Sequence, residues 1–287
     1  MNKSLLDHLS HFLGASNLKV KPVSGGDISQ AFLLETESER FFCKLNDGEQ
    51  AHAMFLAEKL GLEAIALTKT IAAPRTLLCE KWKAGGLLLM EYIEPKSASS
   101  EDMELFGHQL AALHRVPRGK KFGWDTDNFI GSLSQSNYEH HSWTDFYVQE
   151  RLVPQLKLAQ SLRLLNVAEI PSEERLLKSC ESLFPEMAPS LLHGDLWGGN
   201  YLIAINGTPY LIDPSTYHGH HEVDIAMSRL FGGFSASFYS AYQEHYPHKT
   251  GEKERNDLYQ LYYLLVHLNL FGGSYKASTK TLLNKYF

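Results

Sequence analysis

Apolar positions change their period several times along this chain. At the start Leu5, Leu6, Leu9, Phe12 and Leu13 recur at helical spacing, and Gly14 stands where such a helix would close. From Leu18 the period drops towards two. LKVKPV, ISQAFLLET and RFFCKLN read as strands, parted by SGGD and by the polar run Glu37–Glu39. Residues 49–67 return to helical spacing through Ala51, Phe55, Ala57, Leu60 and Ile65, and RTLLCEKW and GGLLLMEYIE read as two more strands. Pro95 and the run KSASS then break any strand. Beyond Glu101 helical patterns cover 101–115, 142–164, 172–184, 222–231, 235–246, 254–271 and 276–285. YLIAINGTPYLID is the exception, with two apolar runs flanking Asn206-Gly207, a two-residue hairpin signal. The pattern predicts an α+β chain in two lobes. Residues 1–95 form a small antiparallel-sheet lobe and residues 96–287 a larger, mostly helical one.

Composition removes several function classes. The 287 residues are 44% hydrophobic, enough for a sizeable core. A net charge of −6 argues against a nucleic-acid surface, which needs clustered cations. No apolar run approaches the roughly 18 residues of a membrane span. Cys43, Cys79 and Cys180 are odd in number and widely spaced, as expected of reduced thiols. Asp7, His8 and His11 interrupt the N-terminal apolar run, which therefore does not read as a secretory signal. A cytoplasmic location is expected. Monomer and dimer are both open.

The chemistry concentrates in LLHGDLWGGN, residues 191–200. An Asp followed five positions later by an Asn, with a further Asp closing the next hairpin, is the phosphoryl-transfer arrangement of kinase-like folds. Asp195 would accept the proton of an attacking hydroxyl. Asn200 and Asp213 would offer oxygen ligands to Mg²⁺, a hard cation that prefers them. The strand-rich half supplies the rest. Lys44 would hold ATP phosphates, with Glu58 of the following helix as its partner; Glu49 and Glu63 lie too near the helix ends. Gly25 and Gly26 would let backbone N–H groups approach phosphates. The backbone of Glu91, Tyr92 and Ile93, at the lobe boundary, would bind adenine. Each element alone is commonplace, but their joint occurrence in this order is not. His193 would brace the loop by hydrogen bonds. A pseudokinase would lack the base or a metal ligand, and here none is missing.

Those residues bring a resemblance into view. The loop reads His-Gly-Asp, and Asp213-Pro214 stands where protein kinases have Asp-Phe-Gly. The chain resembles the small-molecule branch of that fold, which includes aminoglycoside phosphotransferases and choline kinases. Within it the chain is most similar to the fructosamine kinases, or ketosamine 3-kinases. VSGGDISQAF, MFLAEKLGLEAI, FGWDTDNFIGSLSQSN, WTDFYVQERLVPQL, HGDLWGGN, IDPSTYHGHHEVDIAMSRLFGGF and LYYLLVHLNLFGGSY carry the likeness over nearly the whole chain. The resemblance implies a two-lobed protein-kinase-like fold. It also implies ATP-dependent phosphorylation of a sugar hydroxyl on a ketoamine, small or protein-bound, followed by release of the amine. A kinase for an aminoglycoside, choline or another sugar is the alternative.

For the acceptor, Trp197 offers an aromatic platform beside the base, or a core residue under the loop. His218, His220, His221, Glu222 and Asp224 are dense in ligand atoms, yet consecutive histidines in an extended loop should point apart, which disfavours a metal. Glu222 and Asp224 should cap the helix near 223 or hold the catalytic loop, and could alternatively meet a cationic acceptor amine. Phe122 and Ile130 should brace the larger lobe, with Trp124 and Asn128 open. Cys43 should face away from Lys44.

Overall fold

The structure is a computed structural model describing residues 1–23, 29–117 and 119–287. The Gly25–Gly26 turn lies outside the described residues.

Helix α1 (Lys3–Leu13) starts on the Asn2 side chain, which accepts the Leu5 N–H at 3.0 Å, and ends at Gly14 with φ 61°. Strands β1 (Lys19–Val23), β2 (Gln30–Glu35) and β3 (Arg40–Asn46) follow, then helix α2 (Ala51–Leu67), then β4 (Thr76–Trp82) and β5 (Gly85–Glu91). The five strands form one antiparallel sheet in the order β1-β2-β3-β5-β4. Alternation along β3 divides its side chains between two layers. Phe41, Cys43 and Leu45 join Leu5 and Leu9 of α1 in one core; Phe42 turns to the other face, where Phe55 and Leu62 of α2 pack. Central β5 is covered on both faces, which explains its unbroken Leu87–Met90 run.

An extended stretch leads out of the sheet and pairs with the following lobe: the Lys96 N–H donates to Ile203 O at 2.8 Å, and the Ile205 N–H to Glu94 O at 3.0 Å. Helix α3 (Ser100–Arg115) opens with a capping box between Ser99 and Asp102. Next come β6 (Asn128–Ile130), β7 (Leu133–Gln135), α4 (Trp143–Phe146), α5 (Val153–Ser161) and α6 (Glu173–Leu183). The remaining elements are β8 (Ser190–Leu192), β9 (Tyr201–Ile203), β10 (Pro209–Leu211), β11 (Tyr217–Gly219), α7 (Glu222–Leu230), α8 (Ala236–His245), α9 (Glu252–Phe271) and α10 (Lys276–Tyr286). Helix α9 is buried along most of its length and forms the axis of the larger core.

Three expectations need correction. The helix expected over 142–164 is two α segments joined by a six-residue π-helical stretch, Tyr147–Leu152. Pro154 has no N–H to donate and its ring would crowd the Glu150 carbonyl; the wider turn relieves this, and Glu150 O accepts from Arg151 Nη1 at 3.0 Å. The Asn206-Gly207 hairpin has a three-residue loop: the Ala204 N–H donates to Thr208 O at 2.9 Å, with Gly207 at φ 88°. The larger lobe also holds the short pairs β6–β7 and β8–β11, which no periodicity announced. Moreover, packing crosses the lobe boundary, because Ile65 and Ile71 are buried with Phe106, Leu110, Leu191 and Leu211.

Candidate functional site

The buried strand β8 ends in His193-Gly194-Asp195, and three anchors set the path of that loop. The Asp224 carboxylate, at the start of α7, accepts the His193 and Gly194 N–H groups, each at 2.8 Å. Tyr263 of α9 donates its hydroxyl to Gly194 O at 2.7 Å. Gly194 has φ 84°, and a Cβ there would lie 2.1 Å from Ser215 O, so only glycine fits. His193 Nε2 donates to Ile212 O at 2.8 Å, while Nδ1 accepts the Asp195 N–H at 3.2 Å. Burial lowers the His193 pKa. The ring is thus a neutral brace in one tautomer, as its sequence context implied.

Asp195 is half-buried. Burial pushes its carboxyl up to about 7; the Asn200 hydrogen bond works against this, and the charges of Asp213 and Asp224 add to it. Asn200 Nδ2 donates to Asp195 O at 2.8 Å and to Asp195 Oδ2 at 3.0 Å. Its Oδ1 takes no donor among the described residues. The Ile212 N–H donates to Asn200 O at 3.1 Å, so the base of the β9–β10 hairpin sets Asn200 and the residue after Ile212 side by side.

That residue is Asp213, at φ 53° in the left-handed region, which few residues other than glycine adopt and which Asp tolerates better than most. Its Oδ1 meets the Lys44 ammonium, which also donates to Glu58 Oε1 at 2.8 Å. Thus β3, α2 and the end of the hairpin converge on one cation shared by two carboxylates. Burial works against the charge on Lys44, but Asp213 and Glu58 outweigh it and raise its pKa, so the ammonium stays charged. Burial likewise acts to raise Asp213, yet Lys44 holds it below the usual carboxylate range. Burial pushes Glu58 up to about 8, with Lys44 opposing. Cys43 faces the opposite layer, where burial pushes its thiol up to about 12.

At the edge of this cleft the Glu91 carboxylate accepts the Arg75 N–H at 2.8 Å, and the Arg40 guanidinium lies 5.0 Å over the Tyr92 ring. The Ile93 N–H and C=O have no partner among the described residues, so its backbone is open to a planar donor–acceptor ligand.

The acceptor candidates separate. Trp197 is 40% exposed, with its ring folded over Gly199. His218 lies on β11 with its ring 4.8 Å from Trp124, and its backbone exchanges two 2.9 Å hydrogen bonds with Gly123; it helps brace segment 122–124. Phe122 and Ile130 are buried, as expected of braces, and Asn128 donates to Thr216 O at 2.8 Å. The carboxylates of Glu222 and Asp224, offered for an acceptor amine, are both engaged by protein partners. Asp224 has a fully buried side chain spent on the catalytic loop, and both Glu222 oxygens accept from Arg255 at 2.7 Å. The histidines also depart from expectation. The chain turns into α7 at His221, which brings ligand atoms of His220, His221 and Glu222 within 4.8 Å of one another. Protein partners already use them: Tyr259 OH bonds His220 Nδ1 at 2.8 Å, Tyr242 OH bonds His221 Nδ1 at 3.0 Å, and Arg255 neutralises Glu222.

Sequence reasoning missed His114, whose Nε2 bonds Asp224 Oδ2 at 3.0 Å and which therefore supports the loop from behind. Its signal was a polar residue on the apolar face of α3, among Leu110, Ala111 and Leu113.

Comparison with known proteins gives the family. The fructosamine kinase family model matches residues 1–287. A Synechocystis protein, provisionally named a ketoamine kinase, is 40% identical over 92% of this chain and 89% of its own. The chloroplastic protein-ribulosamine 3-kinase of Arabidopsis thaliana is 38% identical over 93% and 82%. A crystal structure from Haemophilus somnus 129PT, provisionally named a fructosamine-3-kinase, superposes with a TM-score of 0.88 at 29% identity, covering 99% of this chain and 96% of its own. With that fold, a catalytic loop held as described and a match running from the first residue to the last, the chain belongs to the fructosamine kinase family.

Proposed function

We propose that this chain transfers the γ-phosphoryl group of ATP to a sugar hydroxyl of a ketoamine, the adduct formed when a reducing sugar glycates an amine. The observation that carries the reading is the convergence of Lys44, Glu58 and Asp213 beside the Asp195–Asn200 loop. The nucleotide lobe comprises residues 1–95 and the catalytic and acceptor lobe residues 96–287. Adenine binds along the open Ile93 backbone. Lys44, held by Glu58, fixes the phosphates.

Mg²⁺ fits the donor set, because Asn200 Oδ1 takes no donor among the described residues and Asp213 supplies a carboxylate. Asn200 and Asp213 would hold the ion, which neutralises charge on the phosphates when bound. Asp195 orients the acceptor hydroxyl and takes its proton late, as suits a loose transition state. Its raised pKa makes it a stronger base than a free carboxylate while leaving a substantial fraction ionised at neutral pH. Trp197, exposed two residues from the base, gives the sugar a flat apolar face. The described helices include none long and apolar enough to cross a membrane. We place the protein in the cytoplasm, acting on free or protein-bound ketoamines in repair of glycation.

The test is mass spectrometry of glycated amines, with an aminoglycoside and choline alongside, each incubated with protein and Mg·ATP. The expected result is gain of phosphate on the ketoamine followed by loss of the sugar. Phosphate on the aminoglycoside or choline, with none on any ketoamine, would overturn the substrate assignment.

A further inference from the structure

Glycine is the poorest helix former after proline, yet Gly61 sits inside α2, three residues beyond Glu58. Residues three apart share a helix face, so Gly61 looks towards the same cleft as the carboxylate that holds Lys44. It meets the loop that follows Asp213. A Cβ at position 61 would lie 2.8 Å from Thr216 Oγ1 and 3.0 Å from Pro214 Cγ. The first distance is one that real Cβ atoms do not show, so something must shift, and Thr216 is 2% exposed, packed on all sides.

The loop beneath Gly61 is fastened on its other sides. The Ser215 N–H donates to His193 O at 2.8 Å, and Ser215 Oγ donates to Phe129 O at 2.6 Å. Asn128 Nδ2 donates to Thr216 O at 2.8 Å. One turn beyond Gly61, Ile65 is fully buried in the core of the larger lobe. Helix α2 therefore belongs to the sheet lobe through Phe55 and Leu62 and to the helical lobe through Gly61 and Ile65.

We propose that Gly61 is a positioning residue for phosphoryl transfer: its missing side chain lets α2 seat directly on Pro214 and Thr216. The seat fixes two things at once. It sets how far Glu58 reaches towards Lys44, and it keeps Pro214 pressed in place, which holds Asp213 in its left-handed conformation. Any side chain at position 61 lifts α2 from the loop, and Lys44, Glu58 and Asp213 lose their common register. The catalytic roles of those three residues are the ones proposed above, and the inference rests on that reading.

The experiment compares wild type, Gly61→Ala, Thr216→Ala and the double variant. Readouts are turnover with Mg·ATP and a fructosyl-amine, Mg·ADP affinity by calorimetry, and Tm. In Gly61→Ala, kcat should fall roughly ten- to a hundredfold, the scale of a displacement of up to ~1 Å at a catalytic group. Mg·ADP should bind roughly fivefold more weakly, with Tm held, since alanine favours the helix. The double variant lacks the hydroxyl that the new Cβ meets, and should return to within about threefold of the Thr216→Ala baseline. The proposal is overturned by wild-type kcat in Gly61→Ala, or by a loss that the double variant does not relieve. Unchanged Mg·ADP affinity also overturns it, and that readout needs no acceptor, so a wild type inactive on ketoamines refutes the function and leaves the seat testable. Should Gly61→Ala fail to fold, the double variant must fold; failure of both overturns the proposal.

Discussion

Asp195→Asn should remove the catalytic base and stabilise the protein, with a gain that depends on pH. The carboxyl releases its proton near 3.8 when free and near 7 in the folded chain, because burial beside Asp213 and Asp224 disfavours its charge. A folded-state pKa raised in this way leaves stability intact below pH 4. Stability is lost as pH climbs from about 4 to 7 and stays low above. Asparagine does not titrate, and Glu58, also raised, is common to both proteins and cancels. The full difference of about 3 pKa units corresponds to ~4 kcal/mol. Solvent reaches part of the carboxylate, so about 2 kcal/mol is the size expected above pH 7. For a chain of this length that is a Tm gain of roughly 3 °C. Thermal unfolding at closely spaced pH values from 4 to 8.5 measures it, beside turnover with Mg·ATP and a fructosyl-amine, which should fall by roughly 10² to 10⁴. A Tm gain as large at pH 4 as at pH 8, or a variant less stable at pH 8, refutes the electrostatic account of Asp195. Turnover within a few-fold of wild type refutes its role as base.

Three further outcomes follow from other parts of the site. In the free enzyme kcat/KM should rise with pH through a midpoint near 7, as Asp195 sheds its proton; a flat profile from pH 5.5 to 8 would assign the base elsewhere. Glu222→Ala strands the buried Arg255 guanidinium and should cost about 3–5 kcal/mol in urea unfolding with KM for the fructosyl-amine unchanged. A raised KM at unchanged stability would return Glu222 to the acceptor site. Chelation should abolish phosphate transfer and added Mg²⁺ restore it, whereas turnover persisting in excess EDTA would rule out the ligand role of Asn200 and Asp213.

What was legible in the chain divides by the range of the cause. Lys44 and Glu58 could be paired because the strand and the following helix are each legible locally, and Glu58 alone of the candidate glutamates lies near the middle of that helix. Cys43 turns away from Lys44 because successive strand residues alternate. The kinase-like order of Asp195, Asn200 and Asp213 was readable because loop length alone sets their spacing. The strands β6, β7 and β11 were not, since three residues are too few to display alternation and each exists only through its pairing partner. The acidic residues after His221 show the limit most clearly. Glu222 and Asp224 look alike in sequence, both in the first turn of a helix where either could face a ligand. One is neutralised by Arg255 of α9 and the other by two backbone N–H groups of the catalytic loop and His114 of α3. None of these partners is local, so no local pattern could assign them. Gly61 lies between these cases. A glycine inside a good helix is a visible anomaly, which marks a close approach. What approaches, the loop carrying Pro214 and Thr216, comes from the far end of the hairpin, and the anomaly gains its meaning only once the two lobes are packed together.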